Sequence, residues 1–286
     1  MLKEAQDINI YTYTDVSKYL ADLYRLLKAS RKRYSYDQYA ADLGFNRSSF
    51  LYQVIHGDRK LTTAAGKKIA EAIPLRKAAR HYFLAMIKHS YTKDPRERHE
   101  AFEQILHIRA TTLNSEVDRH MLQYFSEWYH PVVRELVSLA DFQPDPKWIA
   151  KQLCPEIKPE QAVTSFELLQ KIGFIRFDVA TARWVQTEAV VASDHDVRRL
   201  GLIAYHQDML QRAKESIMNI RSREREIEAL TFSTSEEEFE QLKAAIQNFT
   251  KQIVKNYKES DQHDRVVQLN LQLFPVALPK SKRVVK

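Results

Sequence analysis

The stretch from Ser35 to Lys60 constrains the fold of this 286-residue chain more than any other part of its sequence. It holds two short apolar patterns with helical spacing, the first followed by Gly44 and the second by Gly57. A glycine directly after a helical pattern is typical of a helix end, because glycine adopts a positive φ at little steric cost. Two short helices joined by such a turn predict a helix-turn-helix unit, which can place a helix edge in the major groove of DNA.

The first of these helices is predicted to begin after Ser35, whose hydroxyl can accept a hydrogen bond from the backbone of the first turn. Its inward face is formed by Tyr39, Ala40 and Leu43. Asn46 is predicted to cap the second helix in the same way.

The second helix leaves a polar edge outward. Arginine can bind two guanine acceptors, glutamine can pair with adenine, and hydroxyl groups can bind phosphate oxygens. The alternative interpretation is a solvated edge of an ordinary helical bundle. We predict that DNA is bound by residues of this helix, the turn before it and the basic loop after it: Asn46, Arg47, Ser48, Ser49, Tyr52, Gln53, Arg59 and Lys60.

Positive charge is concentrated in the same part of the chain. Residues 1–91 hold 16 lysines and arginines against 8 acidic residues, a net charge of +8, whereas the remainder has a net charge of −1. Such an excess favours a polyanion partner, because neutralised phosphates release condensed counterions. RNA or an acidic membrane would be attracted equally, so it is the turn geometry that favours duplex DNA.

Six motifs carry a resemblance to a known family: GFNRSSFLYQVIHGDRKL, FSEWYHPVVRELV, DPKWIAKQL, GFIRFDVATARWVQT, AYHQDML and QLNLQLFP. Residues 14–91 resemble a lambda-repressor-like helix-turn-helix domain. The whole chain resembles a family of bacterial transcriptional regulators that join such a domain to a C-terminal domain of unknown function. The resemblance implies a recognition helix at 47–56, and it places Tyr36 where related domains often hold a glutamine against a phosphate.

The rest of the chain is predicted to form three further parts. Residues 92–114 read as a connecting helix and 115–192 as a winged-helix-like domain, with Pro131 splitting a helix near its start. Alternating apolar residues on both sides of a short turn at Ala180 and Thr181 predict a hairpin in this domain. In that domain we favour a packing or dimer role over DNA binding, because its outward positions include acidic residues. Residues 193–286 are predicted to be a C-terminal α/β domain for dimerisation or effector binding, which begins with a long helix capped by Asp194.

Two strands are predicted in the C-terminal domain. The clearest is at 267–273, where apolar and polar residues alternate strictly, and 226–232 is a weaker candidate. A helix between them would imply a parallel pair.

Several classes of protein are disfavoured by composition. The chain has one cysteine, Cys154, which excludes an internal disulfide framework and a cysteine-based zinc cluster. No apolar run is long enough to cross a membrane, and the N-terminal residues lack the apolar core of a signal peptide. Phosphate loops, nucleophile elbows and zinc-protease motifs are missing from the sequence. We therefore expect a cytoplasmic protein without catalytic activity, cofactor or metal.

The sequence thus predicts a mainly α fold with an N-terminal helix-turn-helix bundle, a central winged-helix-like unit, and C-terminal long helices with a small sheet. The expected function is sequence-specific DNA binding by a transcriptional regulator that acts as a homodimer, with a protein or small-molecule effector at the C-terminal half. The alternative is a protein–protein interaction adaptor that uses the basic helical bundle to bind an acidic partner. A nucleic-acid-processing enzyme is a more distant possibility.

Overall fold

The computed structural model of the chain describes residues 2–187, 195–257 and 263–277. Within these residues it is mainly helical, with 12 α-helices and one two-stranded antiparallel sheet. The predicted fold class, mainly α with a small sheet, is confirmed. The chain divides into two compact units, and the boundary between them along the sequence lies between Glu116 and Val117.

The first unit contains six helices that enclose an apolar core. Leu20, Leu23, Leu51, Val54 and Phe83 are among its fully buried side chains. The last helix packs along the fifth, so the predicted connecting helix is part of this compact unit. The helices are α1 (Val16–Ser30), α2 (Tyr36–Asp42), α3 (Ser48–Ile55), α4 (Thr63–Ala72), α5 (Lys77–Tyr91) and α6 (Pro95–Thr112).

A side-chain capping box fixes the start of α2, and a glycine turn fixes its end. Ser35 and Gln38 form a reciprocal capping box, with the Gln38 backbone N–H 3.3 Å from Ser35 Oγ and the Ser35 backbone N–H 2.9 Å from Gln38 Oε1. Gly44 has φ +81°, and the backbone N–H of Phe45 donates to the Ala40 carbonyl across the turn. This bond belongs to the glycine-terminated helix end that the sequence predicts.

The predicted cap of α3 is wrong by one residue. Arg47, not Asn46, occupies the N-cap position with extended backbone, and no side chain bonds to the first turn. Asn46 lies in the exposed turn before it.

Arg31 ties three parts of the first unit together. Its guanidinium bonds to both carboxylate oxygens of Glu4 and to Asp42, each at 2.8 Å. Asp42 also accepts a bond from the Tyr34 hydroxyl at 2.6 Å. The bond from Arg31 lowers the pKa of Glu4 to about 2. Arg31 therefore supports the end of α1 against α2.

The second unit begins with a broken helix, as Pro131 predicts. α7 ends at Ser126 and α8 begins at Tyr129, which places Pro131 in the first turn of α8. Proline is tolerated there because the first-turn N–H groups have no helical acceptor. The helices of this unit are α7 (Glu116–Ser126), α8 (Tyr129–Leu136), α9 (Pro146–Gln152), α10 (Pro159–Lys171), α11 (His195–Asn219) and α12 (Glu236–Tyr257).

The sheet of the second unit is a hairpin that follows α10. Strands β1 (Ile175–Asp178) and β2 (Arg183–Gln186) pair antiparallel, with Phe177 opposite Trp184. The hairpin predicted around Ala180 and Thr181 is confirmed.

The predicted C-terminal strands are wrong. Residues 264–277 form no strand, and neither does 226–232. The parallel pair inferred from them is wrong as well. The Gln268 and Asn270 side chains of this segment are bonded to α11, and the ladder partner that a strand requires is missing among the described residues. Asp194, the predicted cap of α11, lies outside the described residues.

No helix of the described part of the chain is both long and apolar enough to cross a bilayer.

Candidate nucleic-acid interface

The outer edge of α3 is a polar stripe at helical spacing. Ser49, Tyr52, Gln53 and His56 follow one another at i, i+3, i+4 and i+7, and all four are exposed. The opposite side of the helix buries Leu51 and Val54 in the core, and this anchoring fixes the direction in which the stripe faces. The structure therefore brings together Ser49, Tyr52 and Gln53 of the predicted site and adds His56.

Arg47 occupies the N-cap position of α3, two residues before that stripe. Its side chain is exposed and has no hydrogen bond or ion pair with any residue that the structure describes. The following residue, Ser48, is half-buried, which leaves it less accessible than Ser49. The guanidinium of Arg47 is thus available to an external acceptor, in contrast to that of Arg31.

Four neighbouring rings form a continuous row from α1 to the end of α3, and we call them the ring row: Tyr24, Tyr36, Tyr52 and His56. Tyr36 is stacked on Tyr24 with centroids 3.9 Å apart, and its ring meets that of Tyr52 edge-on at 5.4 Å. His56 is stacked on Tyr52 at 4.0 Å and its Nδ1 lies 2.8 Å from the Tyr52 carbonyl oxygen. Burial raises the pKa of Tyr36.

The ring row shows how Tyr36 is packed, at the position where the resemblance implies that related domains hold a glutamine against a phosphate. Tyr36 is half-buried between Tyr24 and Tyr52, and these contacts hold it at the start of α2. Tyr52, by contrast, keeps 47 % of its surface exposed. Tyr36 therefore supports the ring of Tyr52, and Tyr52 and His56 are the exposed members of the row.

The loop after α3 presents cations next to aromatic rings. The Gln53 carbonyl accepts bonds from the backbone N–H groups of Asp58 and Arg59, at 2.8 and 3.2 Å, which closes the turn at Gly57. The guanidinium carbon of Arg59 then lies 5.0 Å from the Phe50 ring centroid. Such a contact positions a cation while leaving its N–H groups free to donate.

A second cation, Lys68 on α4, was not identified from the sequence. Its Nζ lies 5.3 Å from the ring of Phe45, which packs on Phe50 at 4.9 Å. A Cβ added at Gly44 would come within 2.8 Å of the Lys68 side chain, so this lysine lies over the turn before α3. No sequence signal links positions 44 and 68, because their proximity depends on how α4 packs.

Lys60, the last residue of the predicted site, is exposed at the rim of a cleft. The cleft has a volume of about 730 Å³ and lies between the start of α4 and helices α5 and α6. His81, Lys88, Tyr91 and Gln104 contribute to its lining. Lys60 is thus set apart from the stripe of α3 by the turn at Gly57.

The donors of this surface suit an anionic partner with hydrogen-bond acceptors. Arginine and lysine side chains can bind phosphate oxygens, and the hydroxyl and amide groups of α3 can bind base edges. The nearby carboxylate of Asp42 is already bonded to Arg31 and Tyr34. Its negative charge is thereby compensated within the unit.

Comparison with known proteins bears on the other end of the chain. The model of a family described as Domain of unknown function (DUF4423) matches residues 109–276, which is more than half of the sequence. The chain belongs to the DUF4423 family. It has no match among curated proteins or solved structures.

The DUF4423 segment begins near the end of α6 and includes the second unit. It agrees with the C-terminal part of the resemblance found in the sequence. The predicted DNA-binding residues, which belong to α2, α3 and the loops on either side of α3, all lie before it.

Proposed function

We propose that this DUF4423 protein is a sequence-specific DNA-binding transcriptional regulator, a binding protein rather than an enzyme, that acts as a homodimer. The proposal is carried by one observation: the exposed stripe of α3 is preceded, at the N-cap position, by an arginine that has no partner among the described residues. A buried opposite face holds this edge outward, as a recognition helix requires.

Charge and aromatic contacts support the same proposal. Arg59 and Lys68 lie over Phe50 and Phe45 beside α3, and the net charge of residues 1–91 is +8. A recognition helix needs phosphate contacts, which supply affinity and register, and base contacts, which supply specificity. In a homodimer, the two recognition helices would read half-sites about one helical turn apart.

We predict different effects for Arg47→Ala and Lys60→Ala. Arg47→Ala is expected to weaken binding to a duplex selected from a random pool by about tenfold, with a smaller loss on unselected duplex, because a base contact is lost. Lys60→Ala should weaken both duplexes alike and reduce the salt slope by about 1. Fluorescence anisotropy of labelled duplexes over a salt series measures both quantities.

The matched control is Arg96→Ala, which removes the same charge from an exposed position on α6. It should leave the preference for the selected duplex unchanged. Equal losses of Arg47→Ala on both duplexes would refute the role of Arg47. A full-length chain with no duplex preference and no salt dependence would contradict the proposal and favour the adaptor.

A further inference from the structure

Helix α12 has the sequence pattern of a two-stranded coiled coil. Its large apolar residues recur at alternating intervals of three and four: Phe239, Leu242, Ile246, Phe249 and Ile253. This is the spacing of the first and fourth positions of a heptad, which form the seam between two paired helices. We call these five residues the α12 seam.

The α12 seam lacks the cover that such a stripe normally has. No described side chain of α12 is buried: four of the seam residues are half-buried, and Phe249 keeps 50 % of its surface exposed. In the preceding helix, α11, the corresponding apolar residues Val197, Leu200 and Met209 are all buried. A surface helix that packs on its own core would bury its stripe in the same manner, so the α12 seam calls for a partner.

The extended segment after α12 has its apolar side turned outward as well. Gln268 accepts a bond from the Tyr205 hydroxyl at 3.1 Å, and the Asn270 side chain donates to the Met209 carbonyl at 3.0 Å. The residues that alternate with these two therefore face away from α11: Val267, Leu269 and Leu271 are 77 %, 53 % and 43 % exposed. Polar contacts inward and apolar residues outward are the reverse of the usual arrangement.

The charges of α12 indicate what the partner is. Its first half, 236–246, has four glutamates and Lys243, a net charge of −3, whereas its second half, 247–257, has Lys251 and Lys255, a net charge of +2. Lys243 is bonded to Glu240 within the same helix at 2.9 Å, so the net charge of each half decides which arrangement is favourable. Two parallel copies would place acidic residues beside acidic residues. Two antiparallel copies would place the acidic half of each helix beside the basic half of the other, which is the favourable arrangement.

We propose that α12 pairs antiparallel with α12 of a second copy of this chain, seam against seam, about a two-fold axis near the middle of the helix. One patch then meets its own copy, as in the commonest symmetric dimers. A helix of 22 residues is about 33 Å long, and this length sets the extent of the contact. This inference rests on the proposed function in one respect: it locates the contact of the homodimer proposed there.

The mass of the full-length chain in solution, without DNA, tests the contact. Sedimentation equilibrium should give a dimer, and Ile246→Glu should raise its dissociation constant at least tenfold by placing a charge in the seam. Gln247→Glu, which adds the same charge one residue away on an exposed position, should change it less than twofold. Far-ultraviolet circular dichroism of both variants should show unchanged helix content.

Cross-linking tests the orientation. In a chain carrying Cys154→Ser, which removes the only native thiol, Ile246→Cys should cross-link two copies through a short bis-maleimide. Phe239→Cys should not, because the antiparallel copies hold that position at least about 15 Å apart along the axis. Cross-linking of both would show parallel helices and overturn the proposed orientation.

A monomeric wild-type chain at micromolar concentration, or a dimer that Ile246→Glu leaves intact, would overturn the proposed contact. Either result leaves duplex binding by the first unit to be judged by its own test. A stable dimer that binds no duplex would instead contradict the proposed function while supporting the contact.

Discussion

At the scale of single residues, His130 shows how burial fixes a protonation state. The ring is fully buried, its Nδ1 lies 2.8 Å from Ser165 Oγ, and its Nε2 has no hydrogen-bond partner among the described residues. Adding a proton would place a charge in an apolar core without a compensating acceptor. Burial accordingly lowers the pKa of His130 from 6.5 to about 4.

This shift predicts acid sensitivity of the second unit. Between pH 6.5 and 4 the unfolded chain binds a proton that the folded unit does not, so the free energy of unfolding falls as pH is lowered. From pH 7.5 to 5 the loss should be about 2 kcal/mol. Urea unfolding measures it through tryptophan fluorescence, because Trp128, Trp148 and Trp184 all lie in this unit.

The control for this prediction is His130→Phe, which keeps a ring in the core and removes the titration. Its free energy of unfolding should change less over the same pH interval. An equally steep decline in this variant would assign the acid sensitivity to other groups.

At the scale of helices, the ring row joins three elements. Tyr24 belongs to α1, Tyr36 to α2 and Tyr52 to α3, with centroid distances of 3.9 and 5.4 Å between neighbours. Aromatic pairs in these geometries stabilise a fold beyond the area that they bury. The direction of the exposed α3 stripe thus depends on a residue of α2.

We therefore expect Tyr36→Ala to destabilise the first unit by about 1–2 kcal/mol and to weaken duplex binding by misplacing Tyr52. Tyr36→Phe keeps the ring, and should stay within about 0.5 kcal/mol of the wild type. Urea unfolding followed by far-ultraviolet circular dichroism measures stability, since the first unit has no tryptophan. Equal losses in the two variants would show that the hydroxyl, not the ring, is responsible.

Elements whose causes are local in sequence were predictable. The cap at Ser35, the glycine turn at Gly44 and the hairpin after α10 each depend on residues within a few positions of one another. The prediction of Asn46 as the cap of α3 was wrong by one residue, because either neighbouring position could begin the helix.

At the scale of the whole molecule, features set by distant parts of the chain were missed. The alternation at 267–273 gives the period of a strand, but a strand also needs a neighbour, and that cannot be read from one segment. The ring row and Lys68 were missed for the same reason. Of the candidate site, the sequence predicted the exposed edge of α3, while the residues that support it came from packing.

The division into two compact units separates the chain by chemistry as well as by contact. The positive excess lies in the first unit, whereas the DUF4423 match and the uncovered apolar residues of α12 and 267–271 lie mainly in the second. Polyanion binding and self-association, as proposed, would therefore use different surfaces. Each can be removed by substitution while the other is measured.

The ring row also has a consequence for genetics. Tyr24 is nearly buried on α1, yet it is only two rings away from the exposed phenol of Tyr52. A screen for alleles that abolish the proposed duplex binding would then recover changes at Tyr24 together with changes on α3. Such alleles would be misread as folding defects by anyone who scored surface residues alone.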